Sequence, residues 1–191
     1  MTREEAYALL TKYLKNPNLL KHSLAAEAAM KALYFRLVPP GEQHYTVEEK
    51  WGITGLLHDV DYEMAKDHPE KHGLMIFDKE PGKIPDDIAY AIKAHNYQRT
   101  NVLPKSTMDW AIVCCDQLTG LIVASALIHP DKKLASIDAD FVLKRMGEKS
   151  FAKGADRHSI KLCDEKLTMS LEEFVTITLK AMQKISKELE L

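Results

Sequence analysis

The chain has 191 residues, a length that predicts one globular domain. Its 26 Lys and Arg residues against 28 Asp and Glu residues give a formal net charge of −2. That balance excludes a protein held to nucleic acid by bulk positive charge. Hydrophobic residues make up 46% of the chain, which is enough for a core and too much for a disordered protein.

Compartment and membrane association are also constrained by the sequence. The longest stretch without Asp, Glu, Lys or Arg runs from Gln117 to Pro130, which is shorter than the roughly 20 residues that a membrane span needs. The first residues, MTREEAY, carry acids and lack an apolar signal core. Three cysteines, two of them the adjacent Cys114 and Cys115, cannot form a disulfide framework. We expect a cytoplasmic protein with no membrane partner.

The apolar periodicity predicts helix almost everywhere, and no stretch alternates apolar and polar residues long enough to indicate a strand. Capping boxes, in which a Ser or Thr pairs with an acid three residues on, mark helix starts at Thr2–Glu5, Thr46–Glu49, Ser106–Asp109 and Ser170–Glu173. The predicted helices are 3–14, 19–37, 47–58, 69–79, 86–96, 107–129, 137–146, 156–165 and 171–190. The sequence therefore predicts an all-α single domain, residues 1–191.

The first motif whose side chains could bind a metal or catalyse a reaction is LLHD, which ends in His58 and Asp59 at the end of the third predicted helix. Gly52 and Gly55 precede it, and each costs about 1 kcal/mol against alanine inside a helix, so we expect another chain segment to pass close by. Adjacent His and Asp side chains at a helix end can converge on one ion. The alternative is that Asp59 and Asp61 only end the helix and that His58 is an ordinary core histidine.

Three further histidines are expected to face inward from other helices. His22 shares a face with small residues that would let its helix pack closely on a neighbour. His95 continues an apolar stripe, and His72 has Ile76 one turn ahead. Each alone is typical of a core histidine, but imidazoles from facing helices are the usual donors of a metal site in an all-α domain. The small face comprises Ala25, Ala26 and Ala29, and the stripe comprises Ile88, Ala91 and Ile92.

Asp116 lies in the apolar sequence WAIVCCDQLTGLIVASALI, which predicts a central helix. A buried carboxylate needs a cation or strong hydrogen-bond donors, so Asp116 is a candidate ligand. The alternative is that Asp109, Asp116 and Gln117 form a narrow polar stripe facing water. Cys114 and Cys115 are predicted to be small core residues rather than ligands.

Taken in chain order, these polar residues resemble the signature of the HD-domain superfamily of metal-dependent phosphohydrolases. The local sequences HSLAAEAAM, GLLHDVDYE, AIKAHN and CCDQLTGLIVASAL carry the resemblance. It covers roughly residues 18–130, the expected HD core, and leaves 131–191 as a C-terminal helical extension. It implies a helical bundle of the HD-domain type. The set comprises His22, His58, Asp59, His72, His95 and Asp116.

The resemblance implies one or two divalent metal ions. It assigns the second position to His72 and His95, with Asp59 as the carboxylate that bridges the two ions. A set of imidazoles and carboxylates without thiolate suits Mn²⁺, Fe²⁺, Co²⁺, Ni²⁺, Zn²⁺ or Mg²⁺ and does not choose between them. The implied ligands of the first ion are His22, His58, Asp59 and Asp116.

The implied reaction is hydrolysis of a phosphoester of a nucleotide or similar small phosphate compound by metal-activated water. Asp59 and His95 are the expected catalytic residues, with His95 a candidate proton donor to the leaving oxygen. Two other functions stay open: a di-iron oxygenase on the same scaffold, and a metal-binding helical module that senses a ligand without turnover. Lys153 and Arg157 either reach substrate phosphate or form a solvated basic turn.

Two positions in the pattern are ambiguous. The histidine after the doublet is either His68 or His72, in HPEKHG, and the spacing and apolar neighbours favour His72. The family often has small residues and a Lys after the doublet, whereas Asp61 and Glu63 stand here; they either accept a proton from water or are exposed turn residues. The remaining histidines, expected on the surface, are His44, His129 and His158.

Overall fold

Eleven α-helices provide the secondary structure of residues 1–191, and this computed structural model contains no strand. The predicted all-α single-domain bundle is confirmed. Short 3₁₀ turns lie at Pro40–Glu42, Pro69–Lys71 and Leu134–Ser136. The helices are α1 (Arg3–Tyr13), α2 (Pro17–Leu37), α3 (Tyr45–Leu57), α4 (Met75–Lys79), α5 (Asp86–His95), α6 (Tyr97–Thr100), α7 (Thr107–Ile128), α8 (Ala139–Gly147), α9 (Arg157–Leu167), α10 (Leu171–Lys184) and α11 (Ser186–Leu189).

The helix starts follow the predicted capping pattern in three of four places. Complete capping boxes form at Thr2 and Ser106, where the side chain accepts from the backbone N–H three residues on and the acid reaches back. Ser170 makes the first of these two bonds. The box predicted at Thr46 is wrong: α3 begins at Tyr45, so Thr46 already lies in the first turn and cannot cap it.

Helix α7 is the central helix, as predicted, and it packs against α2, α5, α8, α9 and α10. Cys114 and Cys115 are fully buried within it and pack as core residues. Although the charge-free stretch is short, the whole helix is long and apolar enough to cross a bilayer by length and composition. In this fold, however, 61% of its most apolar window is buried inside the protein, as the central position requires.

Helices α2 and α3 make a close backbone contact. A Cβ atom built on Gly55 would lie 2.5 Å from the carbonyl oxygen of Ala26, so only glycine fits there. The expected close approach of another backbone is therefore confirmed at Gly55. At Gly52 the neighbour is instead the side chain of Lys31. The contact at Gly55 brings the helix that carries His22 against the helix that His58 follows.

We expect Gly55→Ala to lower the free energy of unfolding by about 1–3 kcal/mol, because the added methyl group forces α2 and α3 apart. The matched control is Gly120→Ala in α7, where an added Cβ meets nothing within 4 Å. The free energy of unfolding of that variant should rise by up to about 1 kcal/mol, because alanine has a higher helix propensity than glycine. Urea unfolding curves measure both effects, and equal stabilities of the two variants would contradict the close contact.

The chain between α3 and α5 differs from the prediction. One helix over 69–79 is wrong: a 3₁₀ turn at Pro69–Lys71 is followed by extended backbone at His72 and then by α4. Gly73 has a φ of +86°, which ends the turn in a conformation that glycine adopts readily. The last predicted helix, 171–190, is likewise divided into α10 and α11, at Ile185.

Two hydrophobic clusters meet around the candidate functional residues. The larger one joins α2 and α7 to the C-terminal helices, through residues such as Met30, Leu118 and Phe174. The smaller one joins α1, α3 and α5, through residues such as Leu10 and Ile92. Since α2 and α7 contribute mainly to the first cluster and α3 and α5 mainly to the second, polar side chains from all four helices meet where the clusters adjoin.

Candidate metal centre

Four of the predicted residues converge on one point, which we call centre 1: His22, His58, Asp59 and Asp116, whose ligand atoms all lie within 4.8 Å of one another. Asp116 Oδ1 lies 2.9 Å from His22 Nε2 and 3.5 Å from His58 Nε2. The two Nε2 atoms are 3.2 Å apart. His58 is fully buried, whereas His22 and Asp116 are partly open to solvent. Asp116 faces the other three residues and Asp109 is buried, so the alternative of a water-facing stripe of Asp109, Asp116 and Gln117 is wrong.

A second group, centre 2, lies beside the first and consists of Asp59, His72 and His95. His72 Nε2 lies 3.0 Å from Asp59 Oδ1 and 3.0 Å from His95 Nε2. The other carboxylate oxygen, Asp59 Oδ2, lies 3.5 Å from the Nε2 atoms of both His22 and His58. Asp59 therefore presents one oxygen to each centre.

The hydrogen bonds behind the imidazoles fix which nitrogen faces inward. His58 Nδ1 lies 2.8 Å from the carbonyl oxygen of Gly55, and His95 Nδ1 lies 2.5 Å from that of Ile92. A carbonyl oxygen only accepts, so each Nδ1 carries a proton, and Nε2 is the nitrogen that faces inward and can bind a metal ion when it is deprotonated. His72 Nδ1 similarly donates to a buried carboxylate 2.9 Å away.

His22 follows the same logic through a hydroxyl group. Thr119 Oγ1 donates to the carbonyl oxygen of Asp116 at 2.8 Å, so it is free to accept from His22 Nδ1 at 3.3 Å. When all four imidazoles are neutral, they thus direct Nε2 lone pairs at one another and at carboxylates. A group of acceptors without a donor is satisfied by a cation, and histidines oriented through their second nitrogen are typical of metal ligands. The residues present therefore fit a metal ion at both centres.

The electrostatics of the two centres also favour positive charge. Burial lowers the pKa of His58, but the charges of Asp59 and Asp116 outweigh it and raise the pKa to about 9. For His72 burial is likewise outweighed by hydrogen bonds to two carboxylates, and its pKa rises to about 10. Burial and the two charged histidines lower the pKa of His95 to about 4. Bound cations would take the place of the protons on His58 and His72.

The structure resolves the two positions that the sequence left ambiguous. His72 reaches centre 2, whereas His68 is exposed, with its nearest carboxylate 3.5 Å away at Glu70. Asp61 is fully buried and accepts hydrogen bonds from His72 and from two backbone N–H groups at the start of α4, so the reading of it as an exposed turn residue is wrong. Glu63 is exposed and accepts from the backbone N–H of Asn16, outside both centres.

Both centres open into a cavity of about 740 Å³. Lys66, Arg99 and Gln117 line it and were not singled out as site residues from the sequence. Arg99 follows His95 by four residues, which would place both on one helical face, but the helix breaks at Asn96 and the sequence does not show where Arg99 points. Nothing in the sequence around Lys66 indicates that it faces the site.

Gln117 connects centre 1 to the C-terminal part of the chain. Its side-chain nitrogen donates to Asp116 Oδ2 at 2.6 Å, and its side-chain oxygen accepts from the backbone N–H of Asp156 at 2.9 Å. Asp156 caps α9, directly after the loop that forms one wall of the cavity. Gln117 is therefore placed to orient the ligand oxygen of Asp116 and the loop together.

We expect Gln117→Leu to weaken metal binding by about 10–100-fold, the usual cost of losing a group that orients a ligand. The matched control is Gln98→Leu, at an exposed position outside the cavity lining. Metal titration by calorimetry measures both variants. If Gln117→Leu bound metal as tightly as Gln98→Leu, the hydrogen bond to Asp116 would be incidental.

Arg157 holds the same loop from the other side. Its guanidinium donates to the carbonyl oxygens of Phe151, Ala152 and Ala155, with the last bond at 2.7 Å. Arg157 therefore stabilises the cavity wall and is not free to bind substrate. Lys153 is exposed and does not line the cavity, although its neighbours in the chain do.

Comparison with known proteins finds no matching family model, no matching curated protein and no matching solved structure. What characterises the protein is therefore its own geometry: an all-α fold with a buried group of histidines and aspartates that could hold metal.

We expect removal of metal to lower the melting temperature by about 5–10 °C. An ion that binds only the folded state at a hundred times its Kd adds about 2.7 kcal/mol, and 1 kcal/mol corresponds to about 2–4 °C for a chain of this size. Calorimetric melting of protein treated with a chelator, before and after metal is restored, measures the difference. Identical melting temperatures would contradict a tight site.

Proposed function

We propose that the protein is a metal-dependent phosphohydrolase of the HD-domain type, which cleaves a phosphoester of a nucleotide or similar small phosphate compound. One observation carries the proposal: Asp59 directs its two oxygens at two adjacent groups of imidazoles beneath an open cavity. The residues of the two groups are those that resemble the family signature, and they follow one another in the same order along the chain.

The proposed roles follow from the two centres. His22, His58 and Asp116 would hold one ion together with Asp59, while His72 and His95 would hold a second ion on the other side of Asp59. Bound divalent cations lower the pKa of water and polarise a phosphoryl oxygen, and a pair of them clamps the attacking and leaving oxygens of a displacement at phosphorus.

The hydrogen bonds of His95 favour a role as a metal ligand over a role as a proton donor. Its Nδ1 proton is committed to the carbonyl oxygen of Ile92, and its Nε2 lone pair faces His72. A neutral ring in this tautomer has no proton to give from Nε2. We therefore propose that His95 contributes to catalysis by holding an ion and not by protonating the leaving oxygen.

Asp61 has a positioning role in this proposal. It accepts from His72 Nδ1, and it is itself held by the backbone N–H groups of Gly73 and Ile76, at 2.9 and 3.2 Å. A carboxylate behind a ligand histidine fixes the ring orientation and raises the basicity of the other nitrogen. His72 lies in extended backbone and not in a helix, so the hydrogen bond to Asp61 is what holds its ring in place.

The test begins with metal analysis of protein purified without chelator, followed by a screen of nucleotides and phosphodiesters with Mn²⁺, Co²⁺ or Ni²⁺ supplied. We expect bound metal and metal-dependent release of phosphate or of a phosphomonoester product. His58→Ala, purified in the same way, excludes a contaminating phosphatase because it should lose the activity.

Two results would replace this proposal with another function. Consumption of oxygen that requires iron would indicate a di-iron oxygenase with the same ligands. Stoichiometric metal without hydrolysis of any phosphoester would indicate a metal-binding module that senses a ligand. We further propose a cytoplasmic location, which is supported by three buried cysteines that form no disulfide bond.

A further inference from the structure

We infer that Lys66 and Arg99 form an anion site at the rim of the cavity, and that this site selects a terminal phosphate, so that the substrate is a phosphomonoester. The assignment of a substrate class rests on the proposed function, whereas the anion site itself does not. Both side chains line the same cavity as Asp59, His72 and His95.

The fold places Lys66 beside the centres through a tight turn that follows Asp59. The backbone N–H of Tyr62 donates to the carbonyl oxygen of Asp59 at 2.9 Å. The backbone N–H of Ala65 donates to the carbonyl oxygen of Asp61, also at 2.9 Å. Ala65 is buried at the end of this turn, so the next residue, Lys66, emerges at the rim.

Arg99 reaches the rim from the other segment that carries centre 2. It lies in α6, whose first turn is fixed by the Asn96 side chain donating to the carbonyl oxygen of His72 at 3.2 Å. Helix α6 also packs on the 3₁₀ turn Pro69–Lys71. The turn that follows Lys66 in the chain therefore contacts the helix that carries Arg99, and both cations line the cavity.

Neither cation is neutralised by the protein. Elsewhere on the surface, lysines such as Lys12 and Lys50 pair with carboxylates, but neither Lys66 nor Arg99 lies within ion-pair distance of one. The two divalent cations proposed for the centres carry four positive charges, against three negative charges on Asp59, Asp61 and Asp116. The two free cations at the rim add to this positive charge, so the site favours the dianion of a phosphomonoester near neutral pH over a phosphodiester, which carries a single charge.

Another part of the cavity lining is uncharged and built mostly of small residues. It comprises Leu19, Gly120, Ala152, Gly154 and Ala155. These side chains accommodate an uncharged body and offer no positive charge to a second phosphate. The cavity therefore suits a ligand with one charged end, held between the metal centres and the two cations, and one neutral end against the small residues.

The experiment titrates inorganic phosphate into metal-loaded protein by calorimetry and measures hydrolysis of 4-nitrophenyl phosphate and bis(4-nitrophenyl) phosphate, a monoester and a diester. The variants are Lys66→Met, Arg99→Met and Arg99→Lys, and the matched control is Lys153→Met, which removes an exposed charge outside the cavity lining. Circular dichroism verifies that each variant is folded.

We expect the wild-type protein to prefer the monoester. Lys66→Met and Arg99→Met should each weaken phosphate binding and raise KM for the monoester about tenfold, which corresponds to about 1.4 kcal/mol, with a smaller change in kcat. Arg99→Lys should recover part of the loss because it keeps the charge without the planar fork. The diester reaction and Lys153→Met should change little.

Three results separate this inference from the proposed function. If esters are hydrolysed but the Met variants bind phosphate as the wild type does, the anion site is overturned and the phosphohydrolase stands. If the diester is preferred, the assignment of a phosphomonoester substrate is overturned and the phosphohydrolase stands. If no ester is hydrolysed but phosphate binding still depends on Lys66 and Arg99, the anion site is supported and the phosphohydrolase is overturned.

Discussion

Asp59→Asn is expected to remove metal from both centres and to lower phosphohydrolase activity by more than about a hundredfold. Asparagine keeps the size of the side chain but loses its charge, and it presents an amide nitrogen to imidazole lone pairs that lie 3.0 and 3.5 Å from the present oxygens. A hundredfold loss is the upper end for a group that only orients a ligand, so the loss of a shared ligand should exceed it. Metal content by mass spectrometry and the rate of phosphate release measure the effect.

The control for this experiment is Asp67→Asn, which removes a carboxylate at an exposed position eight residues along the chain. It should keep the metal content and the activity of the wild-type protein. If Asp59→Asn retained two ions, the shared-carboxylate geometry would not describe the metal-bound protein. If it retained one, the remaining ion would identify the centre that does not depend on Asp59.

Part of both centres could be predicted because His22 and Asp116 of centre 1 and His95 of centre 2 lie on regular helices. His22 has Ala25, Ala26 and Ala29 on the same side, and all three are fully buried, so the small-residue face gave the correct orientation. His95 ends an apolar stripe and faces inward for the same reason. Where a side chain extends from a helix with a clear apolar face, periodicity alone is enough to orient it.

The place of His72 in centre 2 depends on contacts between residues that are distant in the chain, and periodicity could not show them. His72 lies in extended backbone, and the helical neighbour used to predict its orientation, Ile76, lies in a separate helix. What orients His72 is Asp61, a carboxylate that is buried only because the turn after α3 folds back on α4. The choice of His72 over His68 therefore agrees with the structure for a different physical reason.

The C-terminal segment shows the same limit at the level of the fold. The resemblance ends near residue 130, but Ile160 and Phe174 pack in the same hydrophobic cluster as Ala29 and Leu118. Through Gln117, the start of α9 is also tied to the carboxylate of a candidate ligand. Residues 131–191 thus help to shape the cavity, which a pattern restricted to the metal ligands could not indicate.

Comparing His95→Ala with His58→Ala decides whether the protein binds one metal ion or two. Because His95 belongs to centre 2 and His58 to centre 1, the two-ion interpretation predicts that His95→Ala keeps the first ion, loses the second and loses at least about a hundredfold in activity. His58→Ala should lose the first ion. Metal stoichiometry and phosphatase rate are measured on the same preparations.

Both of these histidines are almost completely buried, so either variant could lose stability for reasons unrelated to metal. His72→Ala provides the second measurement, since His72 is more exposed, at 13%, and holds the same centre as His95. Equal loss of one ion in His72→Ala and His95→Ala, with melting temperatures that differ, would separate the metal effect from the packing effect. Unchanged metal content in both variants would mean that centre 2 holds no ion, and that its imidazoles face the cavity to contact the substrate directly.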